Sequence, residues 1–151
     1  MVAEVVPMRT LGQLRAELAC RELVLRSAAF IDAGDSLGLA SLFSVDAQLQ
    51  RPAGPLICGR EAIELAYRER PSERITAHLI CGTLFDELGP NVARARSRVL
   101  VWTADARDVA GLQGRAAAAR QLVGHFNDTF VRTSAGWRIG LRRAGFDLHR
   151  E

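Results

Sequence analysis

The period of the apolar residues changes once along the chain, near residue 72, and that change constrains the fold more than any other feature. Before it the repeat is helical. Thr10-Leu-Gly-Gln13 has the form of a capping box, in which a Thr side chain and a Gln three residues later satisfy each other's backbone N–H. Leu14, Leu18, Leu25 and Ala28 then recur on one helical stripe, widened by Leu23, Val24, Phe30 and Ile31, as on a helix with one buried face. Gly34 suits the left-handed position that ends a helix. Asp35-Ser36 suits the start of a short second helix running to Leu42-Phe43. Val45 to Gln50 is a short extended piece, and Gly59 to Arg70 is a third helix with Glu64 and Arg68 in the favourable order, closed by Pro71.

From Glu73 onward the period is two. Ile75, Ala77, Leu79 and Cys81 share one face of a strand; Thr76, His78 and Ile80 share the other. Gly89-Pro90-Asn91 is a turn. The next strand, Val92 to Thr103, carries Ala93, Ala95, Ser97, Val99 and Val101 on one face, and Arg94, Arg96, Arg98, Leu100 and Trp102 on the other. A polar loop follows over 105–114. Ala117 to Thr133 and Trp137 to His149 are the last two strands, joined by Ser134-Ala135-Gly136. Helices first and strands afterwards predict an α+β fold, with three N-terminal helices packed on one face of a mostly antiparallel sheet. Gly82, Gly124 and Gly140 lie inside strands, where glycine marks bulges and bends. The sheet is therefore expected to curve strongly, forming a cone with a pocket inside.

The chain has 151 residues, 48% of them hydrophobic, enough to bury a core in one domain over 1–151 and too apolar for a disordered chain. All its basic residues are arginine, interleaved with acids to a net charge of +3. The nearest thing to a basic stripe is Arg94, Arg96 and Arg98, read as a solvated outer sheet face, so no nucleic-acid partner is expected. No apolar run reaches membrane-spanning length, and Met1 to Met8 lacks the pattern of a secretory leader. Three cysteines without a C-x-x-C pair fit a reduced compartment. The expected location is cytoplasmic. His78, His125 and His149 show no zinc-ligand spacing, and no phosphate-binding, dinucleotide-binding or serine-nucleophile motif occurs.

Three stretches, taken in order, resemble the SnoaL-like branch of the nuclear-transport-factor-2-like superfamily. They are Phe30-Ile-Asp-Ala-Gly-Asp35 through Leu42-Phe43-Ser-Val-Asp46; Gly59-Arg-Glu-Ala-Ile63 followed by Ala77-His78; and Gly124-His-Phe-Asn-Asp128-Thr-Phe-Val-Arg132 with Gly136-Trp-Arg-Ile139 and Arg142. The resemblance implies a cone-shaped α+β barrel that hosts dehydratases, isomerases, cyclases and non-catalytic subunits. The pattern is most similar to scytalone-dehydratase-like and bile-acid-dehydratase-like enzymes, where an aromatic residue, an aspartate and a strand histidine meet in the pocket. Phe30, Asp35 and His78 stand at those positions.

The resemblance thus implies His78 and Asp35 as catalytic residues, with no cofactor and no metal. The substrate would be a hydrophobic polycyclic, polyketide- or steroid-like molecule, lined by Phe30, Val99, Val101, Phe126, Asn127 and Arg142. Asp35 equally suits a helix cap. Asp128 is expected to pair with Arg142 or Arg143 in a structural salt bridge, since a buried carboxylate needs a partner. An alternative is a non-catalytic ligand carrier, or a subunit resembling the small subunit of ring-hydroxylating dioxygenases; Phe30 has no hydroxyl to donate, which favours it. A homodimer through the outer sheet face is implied by the resemblance and suited by an exposed Trp102 beside arginines.

Overall fold

The computed structural model describes residues 8–151. Met1 to Pro7, most of the stretch read for a leader, lie outside the described residues. Helix α1 (Leu11–Ala33) opens on the expected capping box: Thr10 accepts the Gln13 N–H, and the Gln13 side chain accepts the Thr10 N–H. Gly34 ends it with φ +70°, a conformation open to glycine at no steric cost.

The buried face of α1 differs from the expected stripe. Ala16, Cys20, Leu23, Val24, Ser27, Ala28 and Ile31 face the core, whereas Leu14, Leu18 and Leu25 are exposed. Both sets repeat at three and four residues, so spacing alone does not choose between them. The small residues Ala16, Cys20, Ser27 and Ala28 allow α1 to lie close on the sheet.

Helix α2 (Ser36–Ser41) is capped by Asp35. Strand β1 (Phe43–Gln50) begins earlier than the sequence suggests, and a short β2 (Leu56–Cys58) has no counterpart in the sequence reading. Helix α3 (Arg60–Arg68) carries the expected Glu64–Arg68 ion pair. The remaining strands are β3 (Arg74–Leu88), β4 (Val92–Asp105), β5 (Gln121–Thr133) and β6 (Gly136–Arg150).

All six strands form one sheet in the order β2-β1-β6-β5-β4-β3, antiparallel except where β1 runs parallel to β6. Register shifts fall at Ile80/Gly82, at Val123/Gly124, and at Thr129/Phe130 where Gly140 is the extra residue on β6. The three glycines expected to mark bends thus stand at register shifts that curl the sheet; two further shifts, at Phe85/Glu87 and Phe43/Gln48, involve no glycine. At Gly124 the close approach is direct: a Cβ there would lie 2.4 Å from the Gly145 carbonyl oxygen. The concave face holds Ala93, Ala95, Val99, Val101, Phe126, Phe130 and Ile139, covered by α1. The convex face carries Arg94, Arg96 and Arg98, each paired with a carboxylate (Glu87, Asp86 and Asp147). No helix among the described residues is long and apolar enough to cross a membrane.

Candidate active site

Strand β3 is an edge of the sheet, so its outward backbone N–H groups have no neighbouring strand. The last turn of α1 lies against that edge. There Asp32 accepts the His78 backbone N–H on Oδ2 (2.8 Å) and meets the His78 ring Nδ1 with Oδ1 (2.6 Å). Thr76, two residues earlier on the same face, donates its hydroxyl to Asp32 Oδ1 (2.8 Å) and accepts from Arg70 (3.0 Å). Arg70 also donates to the Ile31 carbonyl (3.2 Å). A relay from Arg70 through Thr76 and Asp32 to His78 is thereby fixed between helix and strand.

Burial alone would raise the Asp32 carboxyl. The hydrogen bonds from the His78 ring and backbone N–H, the His78 charge and the Thr76 hydroxyl outweigh it, and hold the carboxyl below its usual range. An ionised Asp32 at Nδ1 fixes a neutral His78 as the Nδ1–H tautomer and leaves Nε2 as its basic nitrogen.

His78 lines a cavity of about 580 Å³ inside the cone, within the range of small-molecule sites. Phe43, Leu49, Val99, Val101 and Phe126 form apolar wall; Tyr67, Arg70, Thr76 and Arg142 supply polar groups. A cleft of similar volume opens between the start of α1 and the β5–β6 turn, but no histidine or carboxylate lines it.

At the floor, Arg142 is 2% exposed and binds both oxygens of Asp128 at 2.7 Å. It also donates to Ser27 (2.7 Å) and lies 4.1 Å from the Phe126 ring centroid. This is the expected Asp128 salt bridge, made by Arg142. Burial, and then the Asp128 charge, push the buried Cys20 thiol up to about 12.

The residues singled out in the sequence separate on this geometry. His78, Val99, Val101, Phe126 and Arg142 line the cavity. Asp35 does not. It is exposed, and its carboxylate accepts the Gly38 N–H at 2.7 Å as the cap of α2. A Cβ at residue 38 would lie 2.4 Å from that carboxylate, so glycine there is part of the cap. The carboxylate that reaches His78 is Asp32, one helical turn back. Phe30 packs beside Gly38 and is not among the cavity-lining residues. Asn127 is exposed on the convex face opposite Arg96, because β5 turns Phe126 and Asp128 inward. His125, read as a surface residue, pairs with Asp147 at 2.8 Å on the convex side, while part of it borders the cavity. Tyr67, Arg70, Arg51 and Thr76 escape the sequence reading. Tyr67 is the chain's one tyrosine and Arg70 stands just before a helix-ending proline, but neither fact points inward. No group of three or more potential metal-ligating side chains occurs among the described residues.

No curated protein matches the sequence. Among solved structures, a candidate scytalone dehydratase from Novosphingobium aromaticivorans superposes with a TM-score of 0.77 at 19% identity, covering 92% of this chain and 89% of that one. An aspartate-to-asparagine variant of Rv3472 from Mycobacterium tuberculosis, a protein of unknown function, gives 0.72 at 25% identity over 89% and 73%. A type 2 hexachlorocyclohexane dehydrochlorinase, LinA, gives 0.77 at 13% identity over 93% and 90%. The sequence profile of the SnoaL-like domain matches residues 12–143, so the chain belongs to the SnoaL-like domain family.

Proposed function

We propose that this protein is a cofactor-independent enzyme that removes a proton from a hydrophobic, polycyclic, polyketide- or steroid-like substrate held in the cone. The observation that carries the reading is His78 on the wall of the cavity, held at Nδ1 by Asp32 behind it. His78 Nε2 is the base, and Asp32 steadies the imidazolium that forms. Arg142 lines the cavity and spends three of its N–H groups on Asp128 and Ser27, which fixes the floor beneath the substrate. The dehydratase and dehydrochlorinase among the structural relatives have names that describe eliminations. An elimination fits the same geometry: the C–H electron pair becomes the new C=C bond while the leaving group departs with its own bonding pair. In dehydration the proton on His78 then passes to the departing hydroxide, giving water.

The carrier or subunit alternative is motivated by the missing hydroxyl at Phe30. Phe30 and Trp102 do not fill the cone, and a carboxylate orients His78 from the helix side, which supports the enzyme. The test is a panel of apolar β-hydroxy ketones in D₂O, with exchange of the acidic C–H and loss of water followed by NMR. His78→Gln should slow the active compound by roughly 10²–10⁴-fold, the usual worth of a positioned base. Equal rates for wild type and His78→Gln would overturn the reading.

We also propose a homodimer through the convex sheet face. Leu79, Leu100, Val123 and Leu148 stand in one register row across four strands, beside Trp102, which is 43% exposed. Light scattering should show a dimer weakened by Trp102→Glu, which would bury an unpaired charge. A monomer at micromolar concentration would sink the proposal.

A further inference from the structure

The arginines at the cavity rim differ from those on the convex face. Arg51, Arg70 and Arg74 all line the cavity, and none has a carboxylate within ion-pair distance among the described residues. Arg70 gives two of its five N–H groups to a carbonyl and a hydroxyl. Arg51 bonds the Ala66 carbonyl and lies over the Tyr67 ring at 5.6 Å. Arg74 faces Asp105 across the β3–β4 ladder, but Arg107 holds both oxygens of that carboxylate. Glu69 is the single carboxylate lining the cavity and forms no ion pair among the described residues. Asp32 and Asp128 are committed to His78 and Arg142. The rim therefore carries an excess of positive charge, three arginines against Glu69.

The electrostatics agree with this placement. Burial, and then the neighbouring charge of Arg74, lower the Arg70 guanidinium from its usual value; Tyr67 and Asp32 offset part of this, and Arg51 adds to it. Like charges held together repel. A ligand anion would relieve that repulsion and accept charge-assisted hydrogen bonds.

We propose that the substrate of the reaction proposed above carries a carboxylate-type anionic head, bound at the rim by Arg51, Arg70 and Arg74 while its apolar body occupies the cone. This rests on the assignment of the cone as the substrate site, and adds the class of molecule it takes. The anchored head fixes how deep the body reaches, and so which carbon lies beside His78.

The test uses two probes of nearly the same shape. One is 1-anilinonaphthalene-8-sulfonate; the other is neutral N-phenyl-1-naphthylamine. Fluorescence titration should show the sulfonate binding at least about tenfold tighter, as charge-assisted hydrogen bonds to an anion imply. Added salt should shrink the preference. The double variant Arg51→Gln/Arg74→Gln should abolish it and leave the neutral probe's affinity unchanged. Arg94→Gln/Arg96→Gln, on the convex face, should keep it.

Equal affinities overturn the proposal. So does a preference that survives the rim substitutions, or binding of neither probe. Because the titration reads binding alone, a His78→Gln variant as active as the wild type, combined with an intact anion preference, would sink the proton-transfer reading and leave this one standing. Active chemistry without the preference would do the reverse.

Discussion

Two carboxylate–cation pairs lie close to the same cavity and are built to opposite ends. Asp128 and Arg142 are closed off, with side chains 1% and 3% exposed, and their contacts are two-pronged, with Ser27 taking a third Arg142 N–H. Asp32 and His78 are open, at 25% and 15%. One nitrogen of the histidine is engaged and the other is free to meet a ligand. Burial with complete pairing leaves a charge pair nothing to do but hold its elements together. The pair joins β5 to β6 and, through Ser27, to α1. A half-engaged pair at a cavity wall can change its protonation state without tearing the fold. The comparison teaches that engagement, not the mere presence of an acid beside a base, separates a structural pair from a reactive one.

The largest effect should come from breaking the closed pair. Asp128→Ala leaves Arg142 buried without a partner, and should cost about 3–5 kcal/mol of stability by chemical denaturation. The buried Cys20 reports on the same region. In the wild type Cys58 and Cys81 are exposed and should react promptly with a thiol reagent, while Cys20 reacts only on unfolding. Asp128→Ala should bring Cys20 into reach. Unchanged stability would show that the pair is dispensable.

Opening the other pair should do the reverse. Asp32→Asn removes an acceptor shared by His78 and Thr76, and should cost only about 1–2 kcal/mol while suppressing turnover. A large stability loss with turnover intact would erase the distinction. The pH dependence has a definite sign. The Asp32 carboxyl is held below its usual range, so its contribution is complete above the unfolded value of about 3.9. It is lost as the pH falls through the lower folded value. Asp32→Asn should flatten that part of the acid limb, measured as denaturation midpoint against pH.

Asp35 gives a smaller contrast. Asp35→Ala should cost about 1 kcal/mol, the worth of a helix cap, with no change in turnover. Loss of turnover would return Asp35 to the site. On the convex face, Arg96→Ala removes a fully exposed partner of Asp86 and should leave the melting temperature unmoved, since such pairs contribute little.

The fold was legible because its signals are local. The capping box at Thr10, the left-handed Gly34 and the period-two strands each act over a few residues, and each stands where the sequence put it. The curl was legible in part, since glycines 82, 124 and 140 coincide with three of the five register shifts. The site was half legible. His78 was recognisable as an imidazole on a strand face, but its partner depends on how α1 docks against an edge strand. Asp35 entered the candidate site through the resemblance, but it also satisfies the local capping rule, and that rule is what removes it from the cavity: a carboxylate holding the Gly38 N–H is already spoken for. Asp32 lies four residues after the buried Ala28, on the side of the helix that meets β3, and this was the available clue. The rim arginines were invisible because β1's end, the start of β3 and the α3 terminus converge only in three dimensions.

The central claim is that Asp32 holds His78 in one tautomer with Nε2 free toward the cavity. Long-range ¹H–¹⁵N correlation of the histidine rings in ¹⁵N-labelled protein, at a pH where the His78 ring is neutral, tests it without a substrate. The expected result is a proton on Nδ1 and a bare Nε2 for His78, with Asp32→Asn shifting population toward the Nε2–H form. A His78 that is Nε2–H in the wild type, or indifferent to Asp32→Asn, would contradict the account.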